Sequence, residues 1–341
     1  MTAQSMYEQL KAKLSHVVPD VELRYKAEIA EEILELKREK NAVILAHNYM
    51  EPALFYSVPD FAGDSLDLSR KAATVDQDII VFCGVRFMAE TAKILSPDKT
   101  VLIPSERAGC SLAESITVED VRRLRRQFPD TPVVTYVNTY ADIKAESDIC
   151  CTSSNAAAVV ESLDSDRVIF LPDKFLARNV ARETGKEIIF PGDKLSQPPG
   201  PNTMIGWSGS CEVHERFRVE DVESARRQFP DVVVLAHPEC PAEVVEASDY
   251  AGSTNAMIGF VEKSDAKHFL LLTECSMADN IAAAYPDREM VRICSLRCPH
   301  MNEITLEDTR EALKRLRYEV DVPEPVRTQA RGAVERMLAI G

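Results

Sequence analysis

Three similar α/β/α domains with small parallel sheets, related by pseudo-threefold symmetry around a central metal site, are the architecture this sequence predicts. The first observation is a repeat. NAVILAHNY (41–49), AGDSLDLSR (62–70) and DIIVFCG (78–84) lead to Cys110; TPVVTYVNT (131–139), CTSSNAAAVV (151–160) and RVIFLP (167–172) lead to Cys211; DVVVLAHPE (231–239), AGSTNAMIGF (251–260) and KHFLLLT (267–273) lead to Cys298. The second is the alternation of apolar strand patterns with helix-like stretches, which implies βαβ crossovers and parallel sheets. The third is that each copy ends at a cysteine, so three related units place three thiols at one point.

The elements follow in order. Residues 1–40 read as a helical lead-in, with Ile29, Ile33, Leu34 and Leu36 near helical spacing. The units are expected over 41–115, 116–215 and 216–300. ITVEDVRRLRRQFPD (116–130) and FRVEDVESARRQFPD are nearly identical and each feeds an apolar strand, the strongest internal sign of duplication. In each, the helix is stopped at a proline. Residues 191–210, PGDKLSQPPGPNTMIGWSGS, are too rich in Pro and Gly for a helix or a central strand and are predicted as a loop delivering Cys211. Residues 301–341 read as C-terminal helices packing back on the repeats.

The chain has 341 residues, 45% of them hydrophobic, and a net charge of −15. That balance argues against a nucleic-acid surface, which needs a basic footprint. The N-terminal segment MTAQSMYEQLKAKL lacks an apolar run of the kind a secretory signal carries. No stretch approaches the roughly 18 apolar residues of a membrane span. A cytoplasmic protein is expected. Nine cysteines in such a protein do not imply a disulfide framework, and Cys83, Cys150 and Cys240 read as small buried hydrophobes.

Ligands of open parallel sheets sit beyond the carboxyl ends of the strands. Those ends carry His47, Tyr49, Tyr136, Asn138, His237 and Glu239. Glu239 and His237 have the chemistry of a general base and its orienter. Ser65, Ser153, Ser253 and Thr254 stand where turns open helices. There a hydroxyl is by default an N-cap, but free amides also suit a carboxylate or phosphate. Neither a dinucleotide fingerprint nor a P-loop occurs. Thiolates bind soft metals and iron–sulfur clusters. Three widely spaced cysteines fit a cluster with one open iron, a Lewis acid. A mixed zinc site using His214 and His300, three and two residues past Cys211 and Cys298, and a metal-free protein remain as alternatives. So do an iron–sulfur hydro-lyase and a non-catalytic cluster-bearing sensor.

AHNYMEP, GDSLDLSR, AGCSLAESI, YVNTYADIKAESDICCTSSNA, GWSGSCEVHERF, LAHPEC, AGSTNAMI and CPHMNEITLED, in this order across residues 25–315, resemble the motifs of the quinolinate synthase family. The resemblance implies three α/β domains around a 4Fe–4S cluster. It also implies condensation of iminoaspartate with dihydroxyacetone phosphate to quinolinate, with loss of phosphate and water, on the route to NAD. Functional coupling to an aspartate-oxidising enzyme goes with that reading. By motif position Cys110, Cys211 and Cys298 are the implied cluster ligands, Cys298 rather than Cys294 because of its Cys-Pro motif. The implied substrate site is His47, Tyr49, Ser65, Tyr136, Asn138, Ser153, His214, His237, Glu239, Ser253 and Thr254. Glu239 is the expected principal base, with His47, Tyr49, Tyr136 and His237 as the other catalytic groups.

Overall fold

The computed structural model describes residues 3–191, 199–292 and 296–340. Two helices lead in, α1 (Ala3–Leu14) and α2 (Asp20–Glu39). The first unit runs β1 (Ala42–His47), α3 (Pro52–Phe55), β2 (Phe61–Gly63), α4 (Ser65–Ala72), β3 (Ile79–Cys83), α5 (Arg86–Leu95) and β4 (Thr100–Leu102). The second runs α6 (Val118–Gln127), β5 (Val133–Tyr136), α7 (Ala141–Ala145), β6 (Ile149–Cys151), α8 (Ala156–Glu161), β7 (Arg167–Leu171), α9 (Lys174–Glu183), β8 (Glu187–Ile189) and β9 (Thr203–Gly206). The third runs α10 (Val219–Gln228), β10 (Val233–Ala236), α11 (Ala242–Ala247), β11 (Tyr250–Ala251), α12 (Thr254–Lys263), β12 (His268–Leu272), α13 (Cys275–Ala284) and β13 (Glu289–Val291). Then come α14 (Leu306–Arg315) and α15 (Glu324–Leu338).

Each unit holds one sheet, and every strand pairing is parallel. The orders are β2-β1-β3-β4, β6-β5-β7-β9-β8 and β11-β10-β12-β13, one topology used three times with an added edge strand in the second. The α/β class and its three small parallel sheets are therefore as the sequence predicts. The central strands β1, β3, β5 and β7 are buried almost throughout because helices cover both faces.

The duplicated lead-in segments form α6 and α10. Thr117 caps α6 in a reciprocal pair with Asp120, whose carboxylate takes the Thr117 N–H at 3.0 Å. Asp221 takes the Arg218 N–H at 2.8 Å in α10. ITLED starts α14 in the same way, with Thr305 accepting from the Asp308 N–H. α14 packs on α2 and β3, and α15 lies against α7, β6 and α5.

The lead-in is two helices rather than one: α1 stops at Leu14, and Pro19 stands at the N-cap position of α2, where its missing N–H costs nothing. The predicted loop over 191–210 contains a strand. β9 lies inside the second sheet, between β7 and β8. The Pro/Gly cluster stops before it, and Met204 and Ile205 are fully buried. Gly206 is needed there, since a Cβ would come within 2.5 Å of the Phe190 ring. Residues 192–198 of that segment, and Cys294, lie outside the described residues. The sequence showed two strands per unit where the sheets have four or five. β2, β6 and β11 are two or three residues long, too short to display a period of two.

Lys26 joins the lead-in to the tail. Its ammonium lies 3.0 Å from Glu51 and 2.9 Å from Glu307, and its side chain is only 9% exposed. Burial opposes its charge, but Glu51 and Glu307 outweigh burial and raise its pKa above 10.5. This contribution is therefore complete below the unfolded pKa and is lost as pH rises through the higher folded value. Lys26→Ala is expected to cost about 2 kcal/mol, between the roughly 0–1 of exposed pairs and the roughly 3–5 of breaking a buried one. Urea unfolding at pH 7 measures it, and the difference from the parent protein shrinks as pH rises through the raised Lys26 pKa.

Candidate active site

The carboxyl ends of the strands in all three units open into one cavity. His47, Tyr49, Ser65, Tyr136, Asn138, Ser153, His214, His237, Glu239 and Thr254 line it together with Cys110, Cys211 and Cys298. Of the residues singled out from sequence, only Ser253 is absent from the lining. It is the N-cap of α12 and its hydroxyl donates to Asp64 at 3.1 Å.

The strand-end pairs share a local geometry. The Tyr49 N–H donates to His47 Nδ1 at 3.2 Å, and the Glu239 N–H donates to His237 Nδ1 at 3.3 Å. A backbone N–H can only donate, so each imidazole is unprotonated at Nδ1 and carries its proton on Nε2. Burial pushes the His47 pKa down to about 4 and that of His237 to about 3. Both rings are neutral at pH 7. The second unit has Tyr136 at this position instead.

Glu239 is 2% exposed. Burial works against its charge. His214, whose Nδ1 lies 2.7 Å from Oε2, together with His237 and Tyr136 holds its pKa below the usual carboxylate range. Asn138 Nδ2 donates to Oε1 at 3.2 Å. The other ring nitrogen of His214 lies 2.9 Å from the Thr273 hydroxyl, which is 2.5 Å from the Tyr49 hydroxyl. A continuous line of hydrogen bonds thus runs from Tyr49 through Thr273 and His214 to Glu239. Burial raises the Tyr49 and Tyr136 pKa values well above 10, so both phenols stay protonated. Asp173, a buried carboxyl near Glu239, has its pKa raised by burial and by the charge on Glu239.

The three cysteines are presented by one repeated turn. Each lies three residues before a turn of 3-10 helix, at Ala113–Ser115, His214–Arg216 and Met301–Glu303. Its carbonyl accepts from the N–H four residues on, at 3.0 Å in each case: Glu114 to Cys110, Glu215 to Cys211 and Asn302 to Cys298. The N–H groups two and three residues on are aimed at the sulfur. They belong to Leu112 and Ala113 for Cys110, Val213 and His214 for Cys211, and His300 and Met301 for Cys298. Burial raises all three thiol pKa values, to about 12 for Cys110 and about 11 for Cys298, and these amides oppose it. Paired amide donors suit a thiolate, the form in which sulfur binds metal. A three-thiolate group therefore fits this cavity. Cys211, His214 and Glu239 also place donor atoms within 4.8 Å of one another, the compact trio that a single ion would use. Cys83, Cys150, Cys151 and Cys240 lack this setting; they are fully buried and in no disulfide.

Sequence reasoning missed Asp64, Thr273 and Glu274. Asp64 caps α4 through the Leu66 and Asp67 N–H groups. Its other oxygen accepts from Ser154 at 3.0 Å and from Ser253, so one carboxylate touches all three units. The acid just before the Ser65 helix start was its only signal. Ser65 is the first residue of α4, and Ser153 lies in the turn before α8. Thr254 accepts from Asn48 Nδ2 at 2.8 Å. Burial raises the Glu274 pKa to about 7 at the start of α13. Among the described residues no helix is long and apolar enough to cross a membrane.

The family model described as "Quinolinate synthetase A protein" matches residues 31–339. Quinolinate synthase 2 of Mesorhizobium japonicum is 52% identical over 328 residues, 96% of each chain. The quinolinate synthase of Agrobacterium fabrum is 52% identical over 340 residues, covering 100% of this chain and 92% of its own. That of Xylella fastidiosa is 56% identical over 310 residues, 91% and 86% of the two chains. With a match that runs through all three units and both lead-in and tail, the chain belongs to the quinolinate synthetase A family.

Proposed function

We propose that this enzyme forms quinolinate from iminoaspartate and dihydroxyacetone phosphate, releasing phosphate and water, as a step towards NAD. The observation that carries the reading is the convergence of three identically built cysteine turns with an ionised, buried Glu239 in one cavity. Cys110, Cys211 and Cys298 would hold a 4Fe–4S cluster. When bound, it supplies a Lewis-acidic iron without a protein ligand. The amides behind each sulfur favour three thiolates over a zinc ion at Cys211 and His214 alone.

The side chains supply the rest. Glu239, ionised and out of water, is the proton acceptor for the carbon- and nitrogen-bound protons lost as the ring forms. The hydrogen-bonded line to Tyr49 returns a proton to a departing oxygen without bulk water. Tyr136 is a second protonated phenol beside Glu239. His47 and His237 present Nε2–H donors to substrate oxygens. Ser65, Ser153 and Thr254 offer hydroxyls, beside the amides of helix starts, to carboxylate and phosphate groups. Ser253 serves through Asp64 rather than by contact. Asn138 Oδ1 is buried without a partner among the described residues, an acceptor for a donor group of the substrate. An imine of this kind hydrolyses in water, so supply by an aspartate-oxidising enzyme in the same cytoplasm belongs to the reading. An anaerobic assay with both substrates and the cluster-loaded protein tests it: quinolinate should accumulate, and its absence from protein holding four irons would refute the activity.

Serine at position 110, 211 or 298 replaces a thiolate with a hard hydroxyl and should abolish stable cluster binding. Serine at 83, 151 or 240 should leave iron and sulfide content unchanged. Iron and sulfide analysis of protein purified without oxygen decides both, and a Cys298→Ser protein that keeps its cluster would move the third ligand to another cysteine.

Glu239→Gln preserves size and hydrogen bonding but not proton acceptance. A folded, cluster-loaded protein with kcat lowered roughly 10²–10⁴-fold is expected, the range for loss of a general base. Near-normal turnover would shift that role to His47 or a tyrosine.

A further inference from the structure

Tyr49, Asn138 and Glu239 share a feature outside the cavity. Each sits between two peptide carbonyls that are gripped by a single buried donor. Asn179 Nδ2 donates to Pro238 O at 2.8 Å and Cys240 O at 3.1 Å, on either side of Glu239. Asn280 Nδ2 donates to Asn48 O at 3.1 Å and Met50 O at 2.9 Å, on either side of Tyr49. Lys144 Nζ donates to Val137 O at 2.8 Å and to Thr139 O, on either side of Asn138. The three donors are 7%, 4% and 0% exposed.

Two of the grips run from one unit to the next. Asn179 belongs to α9 of the second unit and holds the third. Asn280 belongs to α13 of the third unit and holds the first. Each is the sixth residue of a ten-residue helix. The sixth residue of α5 is Thr91, whose hydroxyl is spent on Phe87 O at 2.7 Å. In its place the first unit sends Glu90 to the Ala141 N–H at 2.8 Å, and Lys144 grips the carbonyls from within the second unit.

Stability alone does not account for these residues. Asn280 Oδ1 is buried with no partner among the described residues, an unfavourable state for an amide whose only use is its donor end. A buried ammonium is costlier still. What all three have in common is the residue whose backbone they hold.

We infer that Asn179, Asn280 and Lys144 are positioning residues, which fix the side chains of Glu239, Tyr49 and Asn138 by gripping the carbonyls on both sides. The inference rests on the reading of Glu239 as proton acceptor, and the test separates the two. Asn179→Leu keeps the volume and removes the donors. In the full cluster-loaded chain its kcat should fall roughly 10–100-fold, the order expected for a small misplacement of a reacting group, with KM and cluster content close to those of the parent. In a Glu239→Gln background the same change should cost little, because the two residues act as one unit. Undiminished loss in that background, or a parental rate for Asn179→Leu, overturns the inference. Should Asn179→Leu fail to fold, Asn179→Asp, of the same size but unable to donate, replaces it. Parental turnover by Glu239→Gln would refute the acceptor role instead, and the cycle of Asn280→Leu with Tyr49→Phe then decides: non-additive loss upholds the inference, and additive loss ends it.

Discussion

A carboxylate kept ionised out of contact with water is the constraint on which this molecule is organised. A buried charge costs several kcal/mol or more unless partners surround it. Glu239 sits at a strand end of the third unit, and its partners do not all come from there. His214 follows the second cysteine, Asn138 stands on the second unit, and His214 in turn leans on Thr273 and Tyr49. Removing any unit would leave the charge partly bare. The cavity exists only when the units are assembled, which is why its chemistry is spread over the chain instead of concentrated in one motif.

Repetition supplies a common frame, and small departures from it supply the function. The cysteine turn is used three times with the same carbonyl and amide partners. The strand-end pair is used twice as His-x-acidic group, with Tyr49 or Glu239 two residues past an imidazole whose Nδ1 is occupied by that residue's own amide. The middle unit substitutes Tyr136 and Asn138. The strand ends thereby present two neutral imidazoles, two protonated phenols and one carboxylate to the cavity, groups of different acidity at equivalent backbone positions.

What was legible in the sequence followed from this repetition. Residues at corresponding strand ends, and the cysteine after each second strand, were visible because each had two counterparts. Features without local periodicity were not. β9 is four residues behind a Pro/Gly cluster, and its burial is decided by neighbours β7 and β8. Thr273 looks like the end of an apolar strand until Tyr49 and His214 are placed on either side of it. Asp64 reads as an ordinary helix cap, and only its second oxygen, facing hydroxyls from two other units, shows otherwise. Asn179 and Asn280 occupy equivalent sites, but nothing in the helices that carry them points to the loops they hold.

The grip of Asn280 on the Asn48 and Met50 carbonyls spans 232 and 230 residues. A chain made from its N-terminus completes the first sheet long before that helix emerges. Contacts of such separation form late, since a long loop must close before they yield any gain. Tyr49 therefore gains this support only once the last unit is in place. A competent cavity is thus a property of the finished chain, complete only when its last third has emerged.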